Sequence, residues 1–197
     1  MISIDKCYEG ELIINKSKFY SFVYPVISED DAREKLNNIK EKFHDATHVC
    51  SAYTLTSPRV EKADDDGEPS GTAGKPLLEL IKKKGLDNIL LVVVRYFGGI
   101  KLGAGGLVRA YTNSGNVVLD EVKQIEVESV GVYRVTISLD KGSRLLESIR
   151  SMAYEVVSCV YTDCVTIEFV GDICEDLKRL YPIITVEKIG GKTICLK

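Results

Sequence analysis

The segment with the most chemical potential is Arg95-Tyr-Phe-Gly-Gly-Ile-Lys-Leu-Gly-Ala-Gly-Gly-Leu-Val-Arg109, which lies where an aliphatic run gives way to a helical pattern. Glycines at such a strand-to-helix turn let backbone approach a ligand, and the amides opening a helix point at an anion. Gly103, Gly105 and Gly106 would supply the amides, with Lys101 and Arg109 as countercharges; the alternative is that the glycines only shape a tight turn and the cations face solvent. Tyr96 and Phe97 add rings on which bases stack. The spacing is not that of a dinucleotide fingerprint, because Gly-x-Gly is followed by no glycine or alanine near position 108.

A second segment, Asp64-Asp-Asp-Gly-Glu-Pro-Ser-Gly-Thr-Ala-Gly-Lys-Pro76, brings Asp66, Gly67, Glu68, Pro69, Ser70, Gly71, Thr72, Gly74 and Lys75 into one polar loop. Gly74-Lys75 resembles part of a phosphate loop. The match fails twice, with Pro69 where the first glycine belongs and Pro76 where a hydroxyl residue belongs. The EF-hand pattern also fails, since Ala73 occupies the place of its glutamate. Cation binding at Asp64, Asp66 and Glu68 is the minor reading; an ordered loop whose Gly71-Thr72-Ala73-Gly74 turn caps the following helix is the major one. In Ala46-Thr-His-Val-Cys50, His48 and Cys50 share one side of a strand, a weak candidate for a nucleophilic or redox pair. His48 is otherwise structural or lines a cleft. No catalytic triad, metal set or cofactor motif is present.

These segments need elements to hold them. Glu11–Ile14 and Lys18–Tyr24 read as strands closed by Pro25, and Ser28 caps a helix whose face is Ala32, Leu36, Ile39 and Phe43. Val49–Thr56 is a strand, Pro76 opens a short helix ended by Gly85, and Ile89–Val94 is a strand buried on both faces. The loop Gly98–Gly106 leads into the longest helix, with Leu107, Ala110, Tyr111, Ser114, Val118, Val122 and Ile125 on its face. From about Ser129 the pattern becomes β-α-β-β-α-β: Val130–Leu139, a helix with Leu145, Leu146 and Ile149, Tyr154–Tyr161, Cys164–Val170, a helix with Ile173, Leu177 and Leu180, and a last strand turning at Gly190-Gly191. That order is the ferredoxin-like plan. The expected architecture is α+β, with domains at 1–128 and 129–197.

Composition narrows the function. The 197 residues are 45% hydrophobic and 28% charged, with 26 Lys plus Arg against 29 Asp plus Glu and a net charge of -3, which excludes a uniformly basic nucleic-acid coat. Charge is nonetheless uneven. Glu61, Asp64, Asp65, Asp66 and Glu68 form an acidic loop, whereas no carboxylate occurs between Asp87 and Asp120. No apolar run is long enough to cross a bilayer and no signal peptide is evident at Met1–Lys6, so a cytoplasmic protein without a membrane partner is expected. The six cysteines, Cys7, Cys50, Cys159, Cys164, Cys174 and Cys195, lack metal or disulfide spacing and read as core thiols of a reducing compartment.

Ala46-Thr-His-Val-Cys-Ser-Ala-Tyr53, the 65–76 loop and Arg95–Tyr111, in this order and spacing, resemble the IMPACT family and within it the bacterial YigZ branch. The resemblance covers about residues 17–120, and the tail is similar to the branch's second domain. It implies a first domain with the fold of ribosomal protein S5 domain 2, shared with domain IV of elongation factor G, and a second resembling domain V of that factor. Val49 stands where the family often has a second histidine, which disfavours a paired-histidine metal site. Eukaryotic members are similar only in the first domain and act in translational control by binding an activator of a stress kinase. They also carry an RWD domain with no counterpart in this sequence, so that partner is not carried over.

The resulting expectation is a non-enzymatic cytoplasmic factor that touches RNA or the ribosome and is linked to regulation of translation. Lys75, Arg95, Lys101 and Arg109 would meet phosphates, with His48, Tyr96 or Phe97 adding contacts. The first alternative is an enzyme or binder of a phosphorylated small molecule, with Asp66 or Glu68 as acid or base and Gly103–Gly106 holding phosphate. The second is an adaptor for a protein partner.

Overall fold

The computed structural model describes residues 1–171, 175–182 and 184–195. They form an α+β chain that divides into two compact units, Met1–Val127 and Glu128–Ile194. Among the described residues no helix is long and apolar enough to cross a membrane.

The first unit is built on an antiparallel sheet. After a short strand β1 (Ile2–Ile4) come β2 (Tyr8–Ile14), β3 (Ser17–Pro25), helix α1 (Glu29–Lys42), β4 (His48–Thr56), β5 (Arg59–Asp64), α2 (Gly74–Lys83), β6 (Ile89–Tyr96) and α3 (Gly103–Leu119). The sheet order is β2-β3-β6-β4-β5. Strand β6 lies at the centre, and its first seven residues are buried because helices cover both faces. Its alternate residues sort cleanly. Ile89, Leu91 and Val93 join the core under α2 and α3, with Leu77, Ile81, Leu107 and Tyr111. Leu90, Val92 and Val94 join the core under α1, with Ala32 and Ile39. Ser28 caps α1, its hydroxyl accepting from the Asp31 N–H at 3.1 Å.

Several boundaries differ from the sequence expectation. The residues before the acidic loop form the edge strand β5, which polar, mostly exposed side chains conceal from a hydrophobicity pattern. Helix α3 begins at Gly103, so three of the loop glycines form its first turn, and it stops at Leu119, leaving Val122 and Ile125 outside the helix. Ile125 instead belongs to β7 (Gln124–Ile137), whose first residues pair with β1 from Ile2↔Glu126 to Ile4↔Gln124.

The second unit continues from β7 through α4 (Leu139–Ser151), β8 (Glu155–Tyr161), β9 (Val165–Val170), α5 (Glu175–Leu180) and β10 (Thr185–Cys195). Its strand order, β10-β7-β9-β8, is the ferredoxin-like one. Val135, Ile137, Leu145, Ile149, Val165, Ile167, Phe169 and Leu177 make its core. Leu139 opens α4 instead of ending a strand, and β10 runs through Gly190-Gly191 without the expected turn. Ile173 and Cys174 lie outside the described residues.

Candidate functional site

The 64–74 loop is organised by its aspartates. The Asp65 carboxylate accepts from the N–H groups of Gly71, Ala73 and Gly74 at 2.7, 2.9 and 2.8 Å, and so caps the start of α2 across eight residues of chain. Burial alone would raise its pKa, but these three backbone donors outweigh it and hold the carboxyl below its ordinary value. The Asp66 carboxylate takes the Val49 N–H at 2.7 Å and the Lys40 ammonium at 2.8 Å. Thr72 hydroxyl closes the turn on the Pro69 carbonyl at 2.6 Å. Gly74 is required by close approach, since a Cβ there would meet the Asp64 backbone at 2.6 Å. Pro69 and Ser70 remain exposed, and Gly67 and Gly71 hold positive φ at 86° and 75°.

This loop delivers Glu68 into the protein. Its Oε1 receives the Arg95 guanidinium at 2.6 Å and the Tyr111 hydroxyl at 2.8 Å. Arg95 is therefore no surface cation: it is 5% exposed, and its charge is offset by a buried carboxylate. The expected phosphate contact at Arg95 is withdrawn on that ground. His48 and Arg95 are direct cross-strand partners on β4 and β6. The His48 Nδ1 lies 2.8 Å from the Asp66 carbonyl, and its Nε2 lies 3.9 Å from Glu68 Oε2. The Cys50 thiol contacts the Asp65 carbonyl at 3.1 Å and the Tyr111 hydroxyl at 3.3 Å. Burial pushes that thiol up to about 12, so it holds its proton at neutral pH, and the weak idea of a reactive His48–Cys50 pair fails. Burial likewise pushes the Tyr111 phenol far up. Both carboxylates considered as acid or base are engaged, Glu68 by Arg95 and Tyr111, and Asp66 by Lys40 and Val49.

The two aromatic residues after Arg95 diverge. Tyr96 turns to the α1 face, where it packs edge-on to Tyr20 and donates to Asp45 at 2.6 Å, a bond that pushes its phenol up to about 12. That removes it as a stacking platform. Phe97 lies on the Arg95 side, 46% exposed, with the guanidinium 5.5 Å from its ring and Phe19 beneath at 5.7 Å. Ser17 and Thr47 hydroxyls accept from the Gly98 and Phe97 N–H groups at 3.1 and 3.0 Å and fix the turn that follows.

Lys75, Lys101 and Arg109 are all exposed. Among the described residues, none of the three forms an ion pair or a hydrogen bond with the Glu68 cluster. The first turn of α3, with Gly103, Gly105 and Gly106, has no acidic residue and no side-chain cap. The sequence-predicted residues thus fall into two groups: an interior one of His48, Asp66, Glu68 and Arg95, and a surface one of Lys75, Lys101, Arg109 and the α3 glycines. Asp65, Lys40 and Tyr111 are the functional partners that pattern reading passed over. The tyrosine was visible only as a helix-face residue. Among the described residues no group of three or more His, Cys, Asp or Glu is placed to hold a metal ion.

Residues 15–119 match the model of the Impact N-terminal domain. The IMPACT family member YvyE of Bacillus subtilis is 37% identical over 167 residues, 84% of this chain and 77% of that protein. An IMPACT family member of Haemophilus influenzae is 43% identical over 186 residues, covering 92% of this chain and 88% of its own. A crystal structure of a hypothetical protein, 24% identical, superposes with a TM-score of 0.76 over 95% of this chain and 96% of that one, which shows the shared fold. The model match spans the whole constellation from Ser17 to Tyr111, and with these relatives it establishes that this chain belongs to the IMPACT family.

Proposed function

We propose that this protein is a non-enzymatic factor linked to regulation of translation, and that it binds RNA or the ribosome through the surface around the start of α3. The observation that carries this reading is an uncapped, acid-free helix start beside exposed Lys101 and Arg109, with the exposed ring of Phe97 before it and exposed Lys75 at the start of α2; among the described residues none of these cations has a carboxylate partner. Phosphates suit the first two features and an unstacked base suits the third. The family's resemblance to translation-factor domains points the same way. A net charge of -3 is compatible with a local site of this kind, because counterion release depends on the cations in contact and not on the total charge.

The test is RNA and ribosome binding as a function of salt for the wild type and for Lys101→Ala/Arg109→Ala. Each lost phosphate contact lowers the slope of log K against log salt by roughly one, so the double variant should lose about two. Equal affinities and equal slopes would remove these residues from the interface.

The uncapped helix start also supports a second reading, a phosphorylated small molecule held at Gly103–Gly106. Thermal stabilisation by nucleotides or phosphorylated metabolites would favour it, and no stabilisation up to millimolar ligand would count against it. A protein partner, the third reading, would be captured from lysate and would survive nuclease treatment.

A further inference from the structure

His48 and Glu68 leave two acceptors facing one another at the edge of the buried cluster. The Asp66 carbonyl can only accept, so the contact at 2.8 Å makes His48 Nδ1 the donor. In the neutral ring this leaves a lone pair on Nε2, directed to the side where Glu68 Oε2 lies 3.9 Å away. Both donors that reach Glu68, Arg95 and Tyr111, go to Oε1. Among the described residues Oε2 has no hydrogen-bond donor, although the Glu68 side chain is only 3% exposed, while His48 retains 21% exposure at the opening. Oε2 is not fully sealed from solvent, so the place beside it and the imidazole lone pair is open to a donor from outside the chain, water or ligand.

The geometry specifies that donor. A nitrogen or oxygen about 2.8 Å from each of two acceptors 3.9 Å apart subtends an angle near 90° between them, within bending range of two N–H bonds on one nitrogen. A lone hydroxyl has a single hydrogen and satisfies one acceptor only, whereas water and a primary ammonium each carry enough hydrogens for both. Charge selects further: the loop that meets the His48 ring through the Asp66 carbonyl carries four carboxylates, Asp64, Asp65, Asp66 and Glu68, and among the described residues Lys40 and Arg95 pair with two of them, Asp66 and Glu68. The excess of carboxylates favours a positively charged donor.

We propose that His48 Nε2 and Glu68 Oε2 form a clamp for a primary ammonium group. The same chemistry arrives on a lysine side chain of a partner protein or on a free polyamine. The clamp shares no residue with the proposed RNA surface at α3, and neither proposal depends on the other.

The test follows the His48 ring nitrogens by NMR during titration with two probes, spermidine and a lysine peptide with blocked termini. The controls are the same peptide with acetyl-lysine, which lacks the charge, and choline, which keeps the charge without N–H donors. The expected result is a saturable shift of Nε2 with spermidine, the lysine peptide or both, and none with either control. The probe that binds more tightly identifies the source. His48→Phe, read by calorimetry with folding checked by circular dichroism, should weaken binding about tenfold or more, the size of a lost hydrogen bond to a charged group. Glu68→Gln, which keeps the side-chain shape, should weaken it similarly. An Nε2 shift with choline equal to that with the amines, no shift with either amine, or unchanged affinity in His48→Phe would overturn the clamp.

Discussion

The Tyr111 hydroxyl lies 2.8 Å from Glu68 Oε1, a hydrogen bond that ties the long helix α3 to a loop 43 residues earlier in the chain. Because the same oxygen takes the Arg95 guanidinium, one carboxylate gathers β6, α3 and the 64–74 loop, and His48 brings in β4. The charged pair serves to position: Glu68 fixes where the α3 start, with its exposed cations, sits relative to the sheet. The interior cluster and the surface cations are thereby linked mechanically, and among the described residues no ion pair joins them directly.

A buried pair of this kind makes a definite prediction. Arg95→Met leaves Glu68 buried without its cation and should destabilise the protein by about 3–5 kcal/mol in urea unfolding, whereas the double variant Arg95→Met/Glu68→Met should be the more stable of the two. A double variant showing the sum of two single losses would mean that the charges are not coupled.

Asp65 should make stability depend on acid. Its three backbone N–H donors hold the carboxyl below its ordinary 3.8, so the charged form is favoured in the folded state. A carboxyl depressed on folding stabilises at neutral pH, and that contribution is lost as pH falls through the folded value. Asp65→Ala should therefore cost about 1–2 kcal/mol at pH 7, the magnitude of a lost helix cap. The gap to wild type should stay constant above about pH 5 and narrow below 3.8. A gap independent of pH down to 2 would show that the cap acts without its charge.

How much of this was legible in the sequence depends on which physical signal each residue carries. The continuous apolar run Ile89–Val94 announces a central strand, and strand alternation extended one more pair places Arg95 on the same face as Leu91 and Val93. Read that way, Arg95 belongs inside, and only its charge suggests otherwise. The partner that makes burial tolerable, Glu68, is 27 residues away in an acidic stretch, and no local pattern connects them. Tyr96 and Phe97 look equivalent as adjacent aromatics, yet the same alternation sends them to opposite faces. Strand β5 escaped because an edge strand with exposed polar residues lacks the hydrophobic alternation that pattern reading needs. Cysteines as core thiols holds for Cys50, while Cys7 is exposed and Cys159 and Cys164 are intermediate.

Two loop glycines, Gly98 after Phe97 and Gly71 in the 64–74 loop, should not be equally replaceable. A Cβ at Gly98 would meet the Lys16 carbonyl carbon at 2.0 Å, and backbone cannot yield as a side chain would. Gly71 has open space around it and a φ of 75°, so alanine there meets only conformational strain of about 1 kcal/mol. Thermal unfolding should rank Gly98→Ala well below Gly71→Ala. The reverse order would mean that the chain at Lys16 moves freely.

Phe97 separates stacking from charge at the proposed RNA surface. Its exposed ring follows the buried Arg95, so Phe97→Ala removes a platform without removing a cation. Base stacking on an aromatic side chain contributes about 1–3 kcal/mol, so affinity for single-stranded RNA should fall by roughly tenfold while the salt slope stays at the wild-type value. Lys101→Ala should do the opposite, lowering the slope by about one. Because the Arg95 guanidinium also rests on this ring, unfolding of Phe97→Ala has to be measured alongside; the binding loss is to be assigned to stacking when the variant is fully folded at the assay temperature. A fully folded Phe97→Ala with wild-type affinity would show that the ring is not a platform, and would leave the phosphate contacts as the whole of the interaction.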